Sequence, residues 1–527
     1  MSPRRVAAVA RAGAPWRGAV ADVAALLVLW SLFAAWVGRH GPILTFDGFR
    51  DMAYAHAIQH GRLWDDPSLP GFRAWYPPGN PLLFATLSTL TRIPVVELYG
   101  TSLYWLGWLD PVLLYLLVRA HWGRGAAWAA LPLVFLGSFW WLVHAAVPVT
   151  SIQGVALGLG ALLAWTRALR GGWGWALASG VIVALSIWYH PICGILALGS
   201  ITAHGLLAPL LTRREDDPAP RGAALLLRAI VAAGVALVLA APLLLRQLAV
   251  PRGNAAPHHW FAPELHDLRY ALHLHAPLVV PLGLIGLSIA VRRWRTSGWL
   301  AAYFALGLAA EIAGYAGHDL GWKLPWIIPH EFQWHEQLAL LIAAAAAVSV
   351  LSQRLAARAR SPQRQAVRLS WAAGLLAVAV GPALPSLPLA DSYVLRFDRG
   401  WSSMLATAAW VRASTPFDAV FACDPEAGFY LSGLTGRKCL ALPPGHMNPA
   451  SDVETRYRDL REMLTTPEEE VFRPLAVRYG ATYLLAIPAR GTARTARAVY
   501  GAWTCLEPAN LSDSSALIYR IRTATAR

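Results

Sequence analysis

Two aspartates of this sequence, Asp47 and Asp51, stand four residues apart in a segment that reads FDGFRDMAYAHAIQHG. Four residues are about one helical turn, so both carboxylates would lie on one face of a helix. Two such carboxylates can share a proton or a metal ion, or one can act as a general base while the other is structural. An aspartate at a helix start is also a common N-cap, so Asp47 is either a catalytic base or a cap.

The composition places most of the chain in a lipid bilayer. Of its 527 residues, 56% are hydrophobic and 14% charged, with a mean hydropathy of +0.43, whereas ordinary globular chains have about 45–50% and 25%. Blocks such as 24–37 and 223–245 are long and apolar, so lipid is their natural solvent. The net charge of +15 lies mainly in residues 1–390, as expected for basic cytoplasmic loops rather than for a nucleic-acid partner.

Eleven apolar segments are predicted to span the membrane. They lie at 20–38, 96–118, 126–143, 149–166, 173–189, 192–211, 223–245, 277–291, 297–315, 336–353 and 370–388. With the N-terminus inside, all five connections predicted to be cytoplasmic contain two or more arginines. The stretch 81–91 is too short to span and is predicted to dip in from the outer side. The long connections 39–95, 246–276 and 316–335 and the C-terminus are then outside.

Residues 391–527 differ from the rest, because their charges are mixed and helix-like stretches alternate with short β-like runs at 418–422, 438–442, 482–487 and 516–521. This pattern predicts a compact extracytoplasmic α/β domain after a transmembrane module at 1–390. Cys423, Cys439 and Cys505 fall in it. An oxidising compartment could join Cys423 to Cys439, and three unpaired buried cysteines are an equally good interpretation.

The first outer loop has a characteristic order of parts. It opens with Asp47, continues as an amphipathic helix that stops at Gly61, and then contains a Tyr-Pro-Pro-Gly turn at 76–79. With one span before it, a bundle of spans after it and an external C-terminal domain, the chain resembles the GT-C superfamily of membrane glycosyltransferases. That group includes protein O-mannosyltransferases, lipid A aminoarabinose transferases and mycobacterial arabinofuranosyltransferases. Specific residues match only over about 47–81.

The resemblance implies an inverting glycosyltransferase of the inner membrane. It would move a sugar from a polyprenyl-phosphate donor to the hydroxyl of an extracytoplasmic glycan, lipid or protein. By family position Asp47 would be the base and Asp51 a helper or metal ligand, with Trp75 and Tyr76 on the acceptor side of the loop. The acidic partner usual in the family is displaced here to Asp51, and no Trp-Trp-Asp motif is present, which argues against transfer to protein asparagine.

A donor of this kind requires cations for its leaving phosphate. The candidates are Arg246 and Arg252 at the start of an outer connection, His190 beside them, and Lys323. Lys323 is flanked by tryptophans, so interfacial anchoring is the favoured interpretation of this residue. Arg246 lies at the outer end of a predicted span, where the positive-inside rule disfavours arginine. A functional role is therefore favoured for it.

Glu331 and His335 are one helical turn apart at the start of the tenth span and would face one cavity, where donor phosphate, sugar or a divalent metal could bind. A group of loop histidines could also supply metal ligands, although solvated histidines are the default interpretation. These are His258, His259, His266, His273 and His275. The sequence identifies no cofactor, and a divalent metal ion is the one candidate.

Two other classes of protein compete with the enzyme. A transporter or lipid flippase is disfavoured because the chain has no internal repeat and only a few charged residues in the predicted spans. A membrane redox protein rich in histidine would need histidines paired at matching depths in facing helices. Most of the sixteen histidines lie instead in predicted outer loops.

Overall fold

The computed structural model describes most of the chain. The described residues are 14–40, 44, 46–138, 141, 150–211, 222–249, 278–320, 329–358, 363–381, 404–487, 493–510 and 516–522. Arg252, Lys323 and the five loop histidines between 258 and 275 lie outside these ranges.

Fifteen α-helices occupy the described residues before 382. They are α1 (Ala14–Val37), α2 (Phe46–Gln59), α3 (Gly79–Thr91), α4 (Val95–Gly100), α5 (Ser102–Trp105), α6 (Leu109–Trp122), α7 (Arg124–Leu136), α8 (Thr150–Arg170), α9 (Trp173–Tyr189), α10 (Pro191–Leu211), α11 (Gly222–Ala249), α12 (Val279–Arg292), α13 (Trp294–Asp319), α14 (Pro329–Ala356) and α15 (Arg364–Val380).

Six described segments are long and apolar enough to cross a membrane, which supports an integral membrane protein. They are Gly18–Val37, Ser102–Trp122, Pro191–Leu211, Gly222–Ala249, Trp294–Gly317 and Glu331–Ala356. Helices α7, α9 and α12 are apolar but shorter. The expected total of eleven spans stays a prediction. Helix α3 has 13 residues, fewer than the roughly 20 that a span needs, in keeping with the short element predicted at 81–91.

The membrane helices pack through small side chains. The alanine run Ala343–Ala347 of α14 is completely buried. Gly286 of α12 lies against it so closely that a Cβ there would come within 1.9 Å of the carbonyl oxygen of Ala343. Small residues let helix backbones approach in lipid, where the hydrophobic effect does not drive association. This run is therefore part of the helix interface.

The C-terminal part of the chain contains a five-stranded mixed sheet with helices. The elements are α16 (Leu405–Ser414), β1 (Val420–Ala422), α17 (Pro425–Thr435), β2 (Lys438–Cys439), α18 (Val453–Thr465), α19 (Glu469–Tyr479), β3 (Tyr483–Ala486), α20 (Ala493–Gly501), β4 (Leu506–Asn510) and β5 (Leu517–Ile521). The strand order is β2-β1-β3-β5-β4. Strand β1 is parallel to β2 and β3, and β5 is antiparallel to β3 and β4.

All four cysteines are buried thiols, and none of them forms a disulfide. Cys423 and Cys439 are neighbours, because a Cβ on Gly428 would lie 3.0 Å from one sulfur and 3.2 Å from the other. The structure therefore has the unpaired arrangement, with two thiols side by side between β1 and β2.

One hydrophobic core joins the outer loop to the C-terminal part of the chain. Phe49 of α2 packs edge-on against Tyr430 of α17, with ring centroids 4.9 Å apart. The hydroxyls of Ser68 and Ser432 share a hydrogen bond of 2.7 Å, and Asn448 donates to the Asp66 carboxylate at 2.8 Å. The outer loop that carries Asp47 is thus held in place by its contacts with the C-terminal part of the chain.

Gly433→Ala is expected to loosen this contact, because a Cβ at Gly433 would lie 2.7 Å from Phe49. Overpacking of this kind costs about 1–3 kcal/mol. The apparent unfolding temperature in detergent should fall, whereas Gly501→Ala, with open space around its Cβ position, should leave it unchanged. An equal effect of the two substitutions would contradict the close packing of α17 on α2.

Candidate active site

Helix α2 presents Asp47, Arg50 and Asp51 on one face, as their spacing predicts. Asp47 lies in the first turn, and its side chain is 40% exposed, whereas that of Asp51 is completely buried. The guanidinium of Arg50 lies between them, with Nη1 3.1 Å from Oδ1 of Asp47 and Nε 3.6 Å from Oδ1 of Asp51. Of these two carboxylates, only Asp47 is accessible to a substrate.

Asp51 joins three helices. Its Oδ2 accepts a hydrogen bond from the Asn80 side chain of α3 at 2.8 Å and another from the Tyr99 hydroxyl of α4 at 3.2 Å. A buried carboxylate with such partners fixes the geometry of its surroundings. This environment favours the structural alternative for Asp51, and its suggested part as a metal ligand stays a prediction.

Arg50 is a buried cation of the site that was not among the residues predicted from the sequence. Burial alone would lower its pKa, but Asp47, Tyr76 and Asp51 raise the pKa above its ordinary value, so the group is charged. Its guanidinium stacks 3.4 Å from the ring centroid of Tyr76. Its position one turn after Asp47 was the signal that could have identified it.

The turn that follows the loop is held by Tyr54 of α2. The Tyr54 hydroxyl accepts hydrogen bonds of 3.3 Å from the backbone N–H groups of both Trp75 and Tyr76. Tyr76 therefore stays beneath Arg50, and Trp75 packs edge-on against it at 5.6 Å. The two residues predicted for the acceptor side are thus brought to the Asp47–Arg50 pair.

His446, from the C-terminal part of the chain, also reaches this site. Its Nδ1 lies 4.0 Å from Oδ1 of Asp47, and its ring stacks on Phe429 of α17 at 4.4 Å. Burial lowers the pKa of His446 to about 4, against the attraction of Asp47, so the ring is neutral at pH 7. The sequence alone gave no indication of this residue, because tertiary packing brings it to the loop.

Acid should weaken the packing around His446. Its pKa is about 4 in the folded protein and 6.5 in an unfolded chain. The unfolded chain therefore binds more protons between these values, and stability present above about pH 6.5 is lost as the pH falls toward 4. Unfolding temperatures measured at pH 7.5 and 5 should differ less for His446→Phe, which keeps the stacking on Phe429, than for wild type. An unchanged difference would contradict the assignment. His56, whose pKa burial also lowers to about 4, should preserve part of the effect.

Glu331 and His335 of α14 lie next to the junction between α9 and α10. Oε2 of Glu331 lies 3.7 Å from Nε2 of His190, and Cys193 Sγ lies 3.3 Å from Nδ1 of His190 and 3.5 Å from Nε2 of His335. The hydroxyl of Tyr303 is 2.6 Å from Nδ1 of His335. Glu331 also interacts electrostatically with Asp47 and Arg50. The structure thus brings three of the predicted residues, His190, Glu331 and His335, into one polar chain that begins beside Asp47.

Arg246 lies near the end of α11, with its guanidinium 4.0 Å from the ring centroid of Trp64 in the outer loop. Its buried Nε has no hydrogen-bond partner. The ring of Trp64 is 6.4 Å from that of Trp188 at the end of α9. Arg246 therefore lies where the outer loop meets the membrane helices, and its role toward the donor phosphate stays a prediction.

Among the described residues, no group of three or more histidine, cysteine, aspartate or glutamate side chains is arranged to hold a metal ion. The loop histidines considered as ligands lie outside those ranges.

Three solved membrane glycosyltransferases are similar to this chain in architecture. The oligosaccharyltransferase of Archaeoglobus fulgidus, solved with a tethered acceptor peptide, matches at a TM-score of 0.58 and 13% identity over 88% of this chain and 69% of its own. ArnT from Cupriavidus metallidurans, bound to undecaprenyl phosphate, matches at 0.54 and 17% over 96% and 98%. The mycobacterial arabinofuranosyltransferase AftD matches at 0.59 and 16% over 95% of this chain but 40% of its own.

These likenesses show that the chain has the GT-C fold that the sequence predicts. No protein-family model matches the sequence, and no curated protein matches it significantly. At sequence identities of 13–17%, these matches establish a shared fold and nothing further.

Proposed function

We propose that this protein is an inverting glycosyltransferase that uses a polyprenyl-phosphate sugar. The supporting observation is the half-exposed carboxylate of Asp47, fixed by a buried arginine in the first outer loop of a GT-C fold. The donor class is suggested by the undecaprenyl phosphate bound to ArnT and the dolichol phosphate bound to the archaeal oligosaccharyltransferase AglB.

In this mechanism Asp47 is the general base. It takes the proton of the acceptor hydroxyl as the hydroxyl oxygen forms a bond to the anomeric carbon. The bond from that carbon to the phosphate oxygen breaks, and its electron pair leaves with polyprenyl phosphate. Attack from the face opposite the phosphate inverts the configuration, and no covalent enzyme intermediate is needed.

Two arginines are suited to the leaving phosphate. Arg50 is charged and buried next to the base, and Arg246 lies at the junction of the loop with the membrane helices. A guanidinium can bind phosphate with two parallel hydrogen bonds and stabilises the charge that develops as the donor bond breaks. The neutral ring of His446 and the aromatic pair Trp75 and Tyr76 would line the acceptor side.

The site would face the extracytoplasmic side of the inner membrane. The arginines of the connections predicted to be cytoplasmic support this orientation. The transmembrane part at 1–390 would hold the lipid of the donor, and the part at 391–527 would cover the loop. The acceptor would be a glycan, lipid or protein of the cell envelope.

The function is tested with purified protein and radiolabelled polyprenyl-phosphate sugars in the presence of crude cell-envelope acceptors. One donor should release polyprenyl phosphate and pass its label to an acceptor, with the anomeric configuration of the product opposite to that of the donor. If no donor is bound or consumed, the glycosyltransferase proposal fails, and lipid translocation in proteoliposomes is measured next. Retention of configuration would contradict the single displacement only.

Chelator-treated protein assayed with and without added Mg²⁺ or Mn²⁺ decides the metal requirement.

A further inference from the structure

A cavity lies far from the candidate active site, between α7, α14 and α15. Its volume is about 930 Å³. Apolar side chains cover much of its wall, among them Trp128, Val348, Leu369 and Leu376. On α14, Glu331 is near Asp47 whereas Gln353 lines this cavity. A helical rise of 1.5 Å per residue separates the two ends by about 33 Å, so the cavity is distinct from the candidate active site.

The polar rim of this cavity is positively charged. Arg124, Arg364 and Arg368 line it, and no acidic residue is among its described lining. The sequence has no aspartate or glutamate from 337 to 390, but five arginines from 354 to 368. Nearby, Asp22 is engaged by two arginines, accepting from Arg124 at 2.7 Å and from Arg119 at 2.6 Å. The single carboxylate of Asp22 cannot neutralise all of these arginines, so the rim is suited to an anion.

Helix α15 forms one wall of the cavity. Its first half is largely exposed, and only Ala379 and Val380 at its end are buried. From Arg364 to Leu376 the helix rises about 18 Å, which matches the roughly 15 Å hydrocarbon depth of one leaflet. The charged rim and the apolar wall are therefore spaced like the phosphate and the acyl chain of a lipid.

We propose that this cavity binds an anionic phospholipid of the adjacent leaflet, which is the cytoplasmic one in the predicted topology. The lipid phosphate would lie against Arg364 and Arg368, and an acyl chain would lie along Trp128 and Leu376. Basic pockets between membrane helices recognise anionic head groups in this way. A zwitterionic lipid would leave the arginines uncompensated, and a soluble anion would leave the apolar wall uncovered.

The test is a binding titration of the full-length, delipidated protein in detergent, read by native mass spectrometry. Phosphatidylglycerol should bind at least tenfold more tightly than phosphatidylcholine with the same acyl chains. The double variant R364A/R368A should bind phosphatidylglycerol about thirtyfold more weakly, because each arginine near the surface contributes about fivefold. The matched control is R292A/R293A, which removes two exposed arginines from another basic connection, and should stay within twofold of wild type.

Ala373→Trp tests the apolar wall without changing charge, because Ala373 lines the cavity and is exposed. It should weaken phosphatidylglycerol binding at least tenfold while the unfolding temperature stays unchanged. Equal binding by wild type and R364A/R368A, equal binding of both phospholipids, or competition by glycerol phosphate as effective as that by the lipid would overturn the proposal. Tighter binding of a polyprenyl phosphate would overturn the assignment to a phospholipid. No sugar donor is present, so the outcome is independent of the glycosyltransferase proposal.

Discussion

Asp47→Asn should lower the rate of sugar transfer by about 10²–10⁴-fold, the usual contribution of a general base. Asparagine has nearly the same shape but cannot take the proton of the acceptor hydroxyl. Arg50 keeps Asp51 as a partner in this variant, so the helix and the phosphate cation should remain in place. Donor affinity, measured by equilibrium binding of the polyprenyl-phosphate sugar identified in the donor panel, should therefore change by less than about threefold.

The matched control for this experiment is Asp418→Asn, which removes an exposed carboxylate after α16 and should leave the rate unchanged. Asp47→Glu should retain part of the activity, because it keeps the base but displaces it. If Asp47→Asn is as active as wild type, Asp47 serves only the electrostatics of the first turn of α2, where an acidic residue adds about 0.3–1 kcal/mol. Glu331, the next carboxylate in the site, would then be tested in the same assay.

Local spacing predicted the part of the site that lies on one helix. Asp47 and Asp51 share a face of α2 because four residues make one turn, and the same rule puts Glu331 and His335 together beside His190. Spacing does not reveal burial, which separates the accessible Asp47 from the buried Asp51. It also cannot reveal His446, whose contact depends on how the two ends of the chain pack.

Secondary structure could likewise be predicted where the local sequence determines it, but not where pairing with a distant segment does. Four of the five strands fall within the β-like runs recognised in the sequence at 418–422, 438–442, 482–487 and 516–521. Strand β4 (Leu506–Asn510) was missed, because it contains Pro508 and has two exposed residues, and it forms as an edge strand on β5. Its pairing partner, rather than its own sequence, makes it a strand.

Arg50→Met should both unfold the site and stop transfer. It leaves Asp51 buried without the opposing charge, and breaking a buried ion pair in this way costs about 3–5 kcal/mol. It also removes the cation between the base and the proposed phosphate position. We expect a large fall in the unfolding temperature in detergent and a loss of donor binding as well as of turnover. Arg412→Met, at an exposed position of α16, is the control and should change neither.

The double variant R50M/D51N separates the two consequences of losing Arg50. With the buried carboxylate replaced by a neutral amide, more than half of the lost stability should return, because the amide oxygen can still accept hydrogen bonds from Asn80 and Tyr99. Transfer should remain absent, since no cation then faces Asp47 or the donor phosphate. Recovery of activity together with stability would instead mean that Arg50 only balances Asp51, and Arg246 would become the cation that receives the leaving phosphate.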